Sequence, residues 1–425
     1  MSGEAESREA SRQRRRRERA AAVERFVGVP LADVVRENAL VHLPPAAAAR
    51  LRVVHPSWAS HMSSPLFAVA HAAAPRRISG VFVPSAGFLP FDGDDDAVPS
   101  PSRSCGPASS ELGVLSSSRG VACCFSPADD AYAVCNPATA SWTAVPSPPW
   151  RSWPRPAIVV LFDTSAYNFR GDFTLVCPFE SEPGSSGAYC FQVFTSGTGA
   201  WWVTDAMSPA EGLVAASGVA AGATAWWRTS IGTAVGYSPV TGRGDLVTCP
   251  GDSDQWEIGL AAGMLHCAVI DGGDVVVFRL HEHGIWEVTT RVAVAEILQP
   301  SQPPPPARAT TSTEIVASQQ HDESGAEEEE GSRAVVAAAN APLRLDDGVR
   351  LLGFQGAEVE VVVLAGRRLV AFDARTRRRR EVAVPDEVDA AWDGAEHAAH
   401  INTLALIAPA ALAAEPPLAK PPADP

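Results

Sequence analysis

Between residues 31 and 67 the apolar side chains recur at three- and four-residue steps, whereas from about residue 78 they come in short bursts cut by polar and glycine-rich turns. The first rhythm is helical. Asp33 is placed to cap a helix that carries Val35, Ala39 and Leu43 on one face, with Leu40 beside them. Pro44 and Pro45 stop it, and a proline is tolerated in the first turn of the next helix because its missing N–H would have no partner there. Segment 46–54 is alanine-rich and sets Leu51, Val54, Trp58 and Met62 at helical steps. Pro56 is expected to kink or restart this helix near His55. Two or three helices this short have little core of their own, so the unit at 26–72 is expected to need a partner for its apolar face.

The second rhythm is that of an antiparallel β body. Runs at 81–83, 121–125, 132–135, 142–145, 158–162, 173–177 and 189–194 are β-branched or aromatic and closely spaced, with no helical pattern between them. Five segments fall into one register: AVCNPATASWTAV (133–145), QVFTSGTGAWWVT (192–204), VGYSPVTGRGDLV (235–247), VFRLHEHGIWEVT (277–289) and VAFDARTRRRREV (370–382). Their turn column reads Thr139, Thr198, Thr241, His283 and Thr376. A second column holds Trp142, Trp201 and Trp286, from which Gly244 and Arg379 depart. Repeats of roughly 40–50 residues with several strands each are the pattern of propeller blades, which bury one another around an axis with tryptophan as large contact area. The fold class expected is mainly β with a small N-terminal α unit, the β part being a β-propeller-like (kelch-type) domain.

Composition sets the boundaries. Residues 1–25 carry six arginines between Arg12 and Arg19, a self-repelling basic tail of a kind that can serve nuclear import. The β body is expected over 73–298 and 346–408, interrupted at 299–345 by a proline-, serine- and glutamate-rich insertion expected to be disordered, and followed by a loose Ala/Pro tail at 409–425. Formal net charge is −15, which disfavours nucleic acid as a main partner. No apolar run reaches the ~20 residues of a membrane span, and no secretory signal opens the chain. The 8 cysteines form no C-x-x-C pair and look like small core residues of a reducing compartment, so an intracellular location, cytoplasm or nucleus, is expected.

Catalytic chemistry leaves no signature. Gly236-Tyr237-Ser238 opens like a nucleophile elbow but lacks the closing glycine, and the only lysine is Lys420, so there is no phosphate loop. In His281-Glu282-His283 the two histidines could share a face, but a third ligand at metal spacing is missing, and a solvated turn is the expected reading. The run Asp92, Asp94, Asp95, Asp96 lacks the order of a calcium loop. Trp150 and Trp153 are expected to fold onto a blade, while Arg377, Arg378, Arg379 and Arg380 suit either solvent or an acidic partner. No catalytic, metal or cofactor residue is assigned.

The helical stretch LADVVRENALVHLPP from Leu31, with ARLRVVHPSWASHMSSPLF ending at Phe67, resembles the F-box. Leu31, Asp33, Leu40, Leu43, Pro44, Arg50, Arg52, Val54, Trp58, Ser64, Pro65 and Phe67 match the family pattern. Ala32, Asn38 and His55-Pro56 depart from it. Downstream, SSRGVACCF and YAVCNPATASWTAVPSPP resemble the opening blade of the F-box-associated propellers common in plants. The resemblance implies a non-catalytic substrate-recognition subunit of an SCF-type (cullin-based) ubiquitin ligase. Its F-box would bind the small adaptor subunit through Leu31, Val35, Leu40, Leu43, Pro44, Leu51 and Val54, with Trp58 packing towards the linker. Its β domain would bind a substrate protein that the sequence does not identify. The alternative is a propeller-type interaction scaffold with no ligase role.

Overall fold

A computed structural model describes residues 31–84, 87–93, 97–98, 112–181, 188–209, 211–251, 253, 255–281, 284–299, 348–389, 392 and 394–410. The basic stretch 1–25, insertion residues 300–345, Asp94, Asp95, Asp96, Cys105, Glu282, His283 and residues 411–425 lie outside the described residues.

Four short helices come first: α1 (Leu31–Asn38), α2 (Pro45–Leu51), α3 (Pro56–Met62) and α4 (Pro65–Ala73), with a 3-10 turn at Leu40–His42. Asp33 sits inside the first turn of α1, paired with Arg36 at 2.9 Å, and so is not the cap expected of it; the helix simply starts two residues earlier. Pro56 restarts the chain without distortion. It opens α3 behind His55, whose Nδ1 accepts the Ser57 N–H at 3.1 Å.

Six sheets follow, making a six-bladed propeller. Blade 1 is three-stranded, built from β1 (Gly80–Val83), β2 (Gly87–Pro90) and β24 (Ala398–His400). Blade 2 is β3 (Gly113–Ser118), β4 (Val121–Ser126), β5 (Ala131–Asn136) and β6 (Ser141–Val145). Blade 3 is β7 (Val159–Phe162), β8 (Phe173–Glu180), β9 (Tyr189–Thr195) and β10 (Ala200–Ser208). Blade 4 is β11 (Val219–Ala221), β12 (Thr224–Arg228), β13 (Thr233–Ser238) and β14 (Arg243–Thr248). Blade 5 is β15 (Trp256–Ala261), β16 (Met264–Asp271), β17 (Asp274–Leu280) and β18 (Trp286–Ala293), extended at its inner edge by β20 (Phe354–Gly356), which runs parallel to β15. Blade 6 is β19 (Val349–Leu352), β21 (Glu360–Ala365), β22 (Arg368–Asp373) and β23 (Arg378–Ala383). The ring closes where β24 pairs with β1, Gly80 opposite His400.

The five sequence repeats are the outer hairpins of blades 2 to 6. The residue after each turn-column position lies in the left-handed region: Ala140 (φ 53°), Gly199 (66°), Gly242 (67°), Gly284 (73°) and Arg377 (57°). Glycine enters that region freely, while Ala140 and Arg377 accept a strain of roughly 1–2 kcal/mol. Asn136 and Asp373 offset it by taking turn N–H groups onto their side-chain oxygens, from Ala138 at 3.0 Å and from Arg375 and Thr376 at 2.9 Å.

Two tryptophans of the column staple their blades to the preceding one. Trp201 Nε1 donates to Pro146 O at 2.7 Å, just past β6, and Trp286 Nε1 donates to Thr248 O at 2.7 Å, the last residue of β14. Arg379 reaches back in the same way, donating to Leu298 O at 3.1 Å and to Gln299 O beyond blade 5. At Gly244 the absence of a side chain lets the β10 backbone approach, with Met207 O 3.4 Å from where a Cβ would stand. Neither departure from the column is a break in the repeat.

Among the described residues, no helix is long and apolar enough to cross a membrane. The seven described cysteines are free, and all but half-buried Cys190 are buried. Burial pushes the Cys177 thiol up to about 12, so it is not a ready nucleophile.

Candidate functional sites

The inner strands of all blades run from one end of the ring to the other. The helical unit sits at the end where they finish. The Ala357 N–H, just past β20, donates to Arg76 O at 2.7 Å, and Leu404, four residues past β24, donates its N–H to His71 Nδ1 at 3.1 Å. His71 Nε2 faces Leu43 O at 3.0 Å, which fixes the neutral ring with its proton on Nε2. Arg76 then gathers three carbonyls, those of His71 (3.2 Å), Leu43 (3.1 Å) and Val41 (2.6 Å). Segment 401–410 runs across the same end, where Asn136 donates to Thr403 O (3.1 Å) and Ala405 O (2.8 Å), and Ala408 N–H donates to Gly171 O (2.9 Å). The helices are thus held to the propeller by polar pegs and by the last helix, whose Ala72 packs into the core of blades 2 and 3.

That face is divided. Leu40, at 1% exposed, joins Ala48, Met62 and Phe67 in a small core, with Val35, Leu43, Leu51, Trp58 and Leu404 against it. Leu40 was expected to face an adaptor, but the helical unit's own packing seals it away. No sheet covers it. Val35, Leu43, Pro44 and Leu51 are half-buried, each with an edge to solvent. Leu31 (77% exposed) and Val54 (60%) stand open, as do Val53 (90%) and Leu66 (65%), which the sequence reading passed over. Val53 could have been found from its place in the Arg52-Val53-Val54 run, where α2 has ended and nothing folds back over it.

At the opposite end, where the inner strands begin, a cavity of about 180 Å³ opens on the axis. Arg228 ends β12, Trp256 and Glu257 start β15, Arg350 lies in β19, and His397 immediately precedes β24. Arg228 Nε donates to Glu257 Oε2 at 3.0 Å, and its guanidinium lies 5.9 Å from the Trp256 ring centroid. Burial raises the pKa of Glu257, and Arg228 pulls against that. His397 is spent on the backbone: Nε2 accepts the Gly353 N–H at 2.8 Å and Nδ1 donates to Gly394 O at 2.7 Å. Burial brings its pKa down to about 4.

Deeper on the axis, Ser117 Oγ lies 2.7 Å from His400 Nδ1. Burial holds His400 at about 3, and so weak a base does not activate a hydroxyl at neutral pH. A broader groove of about 830 Å³, with Tyr167 and Val240 exposed at its rim, occupies the same end as the helices.

The remaining candidates resolve into structure. Trp150 stacks on Phe179 at 5.9 Å and Trp153 lies 5.7 Å from Tyr189, both folded onto blade 3. Of the arginine cluster, Arg377 pairs with Glu296 at 2.9 Å and Arg380 with Glu360 and Asp92, both at 2.6 Å, so these partners lie within the molecule. His281 pairs with Glu287 at 2.8 Å, and among the described residues no cluster of three or more His, Cys, Asp or Glu side chains is arranged to hold a metal.

No protein-family model matches the chain, and no curated protein matches it. Several solved structures are similar at low identity. BBS1N in complex with ARL6DN is 10% identical with a TM-score of 0.29, the match covering 66% of each chain. Virginiamycin B lyase from Staphylococcus aureus is 10% identical with a TM-score of 0.32, covering 66% of this chain and 72% of that one. YCF48 bound to D1 peptide is 12% identical with a TM-score of 0.33, covering 63% and 65%. This chain thus spans about two thirds of the proteins it resembles. Likenesses this distant carry no functional argument. The six blades stand on this chain's own strand pairing.

Proposed function

We propose that this chain is a non-catalytic substrate-recognition subunit of an SCF-type ubiquitin ligase, its helical unit binding the small adaptor and its propeller binding the substrate. The observation that carries the reading is the open apolar set Leu31, Val53, Val54 and Leu66 on helices that are pegged to the ring elsewhere. Four large apolar side chains left open within one short helical unit are what a docking face for another chain would use. The F-box resemblance over residues 31–67 names the partner.

Co-purification of the folded chain with the adaptor tests this. Wild-type protein is expected to retain the adaptor, and Val53→Asp to lose it by at least a hundredfold, because a charge desolvated without a partner costs several kcal/mol and each ~1.4 kcal/mol is tenfold. Val53 is 90% exposed, so thermal unfolding of the variant should match wild type. Folded wild-type protein that ignores the adaptor, or a Val53→Asp variant that binds as well, defeats the proposal. The second reading, an interaction propeller without a ligase role, is favoured by the wide groove beside the helices and would then stand.

A further inference from the structure

We propose that the axial cavity at the end of the ring away from the helices binds the side-chain carboxylate of an acidic protein segment. Three features support this. Arg228 spends only its Nε on Glu257, and its two terminal nitrogens make no hydrogen bond among the described residues. An end-on pair of guanidinium N–H groups is the planar fork that accepts a carboxylate bidentately. The guanidinium is held in place from two sides, by Glu257 and by the Trp256 ring, so little side-chain entropy remains to be lost on binding.

The walls suit the same occupant. Arg350 and the amide-bearing Gln255 line the mouth, and Ser217 accepts the Arg228 N–H at 2.9 Å, which fixes the end of β12. The carboxylate already present, Glu257, has both oxygens engaged, taking the Arg228 Nε–H on one and the Ile258 N–H on the other at 3.1 Å. The volume of about 180 Å³ equals roughly six water volumes, which admits an acidic side chain but no folded element. Segments 214–217, 255–257, 350–351 and 394–397 come from at or just before the inner strands of four different blades, so the cavity exists only in the closed ring.

The occupant's being a protein segment rests on the substrate-receptor reading. The preference for a carboxylate does not. The test uses two capped peptides, Ac-Gly-Glu-Gly-NH2 and Ac-Gly-Gln-Gly-NH2, titrated against the full chain by ligand-observed NMR, with inorganic phosphate as a third arm. The Glu peptide is expected to bind saturably in the millimolar range, at least tenfold more tightly than the Gln peptide. Gln255→Glu, which places a negative charge at the mouth and leaves the Arg228–Glu257 pair intact, should weaken it at least tenfold. Equal binding of the two peptides, no saturable binding of the Glu peptide, undiminished binding in Gln255→Glu, or saturation by phosphate alone overturns the proposal. Adaptor capture is read separately on the wild-type chain, so the two proposals fail independently.

Discussion

Acidification from pH 7 to pH 5 is expected to withdraw about 6 kcal/mol of histidine-borne stability from the folded chain, before the offset from two buried glutamates. Three histidines carry the effect. Burial holds His71 and His400 at about 3 and His397 at about 4, well below the ordinary value of 6.5. Their contribution is therefore complete above about pH 6.5, where folded and unfolded chains both carry neutral rings. Below that, the unfolded chain takes up protons the folded chain refuses, and each ring loses about 2 kcal/mol of stability by pH 5. The loss continues until pH reaches the folded values.

Glu257 and Glu360, raised above 4.5 by burial, work in the opposite direction: the folded chain takes up their protons before the unfolded chain does, so they offset part of the decline as pH falls towards 4.5. Since whole domains hold about 5–15 kcal/mol, the denaturant midpoint should fall steeply over these two pH units. Two of the rings sit at the axis, and His71 pegs the helical unit to segment 401–410, so that unit should loosen in the same window. A midpoint unchanged from pH 7 to pH 5 would refute the packing described for these rings.

Arg380→Met is expected to cost 3–5 kcal/mol at neutral pH. The Arg380 side chain is nearly buried and donates to Glu360 Oε1 (2.6 Å), Asp92 Oδ2 (2.6 Å) and Ile78 O (2.7 Å), while lying 5.3 Å from the Phe91 ring centroid. It ties the last blade to the first beside the seam that closes the ring. Methionine fills much of the volume but leaves Glu360 buried without its cation. Adding Glu360→Gln should recover part of the loss, since the amide carries no charge to desolvate. Chemical unfolding of the two variants decides it, and a loss under ~1 kcal/mol for the single variant would mean the pair is solvated.

The blade rhythm was legible because its physics is local. Each outer hairpin needs a residue at positive φ one step after the turn column, and Gly199, Gly242 and Gly284 advertise that need in the sequence. Ala140 and Arg377 meet it without glycine, and Asn136 and Asp373 were the readable compensation. What stayed hidden depends on distance along the chain. The first blade takes β1 and β24 from opposite ends, and three residues of β24 carry no periodicity of their own. Arg379 could not be seen as a substitute for tryptophan until Leu298 and Gln299 were found beside it.

The helical unit divides in the same way. Pro45 and Pro56 set helix starts that sequence reasoning reaches directly, whereas the helix opened by Pro65 was not anticipated. Which apolar residues end inside does not follow from spacing. Leu40 and Val53 are equally apolar in pattern, yet one is sealed by Met62 and Phe67 while the other projects from the bend between α2 and α3. The axial cavity was invisible for a third reason, since its charged residues come from separate blades with no fixed spacing.

Hydrogen–deuterium exchange of the chain with and without the adaptor tests the central claim most directly. New protection confined to residues 31–66, strongest at the α2–α3 bend around Val53, is the predicted result. Protection confined to the blades, or none at all under conditions where both proteins are folded, would contradict it.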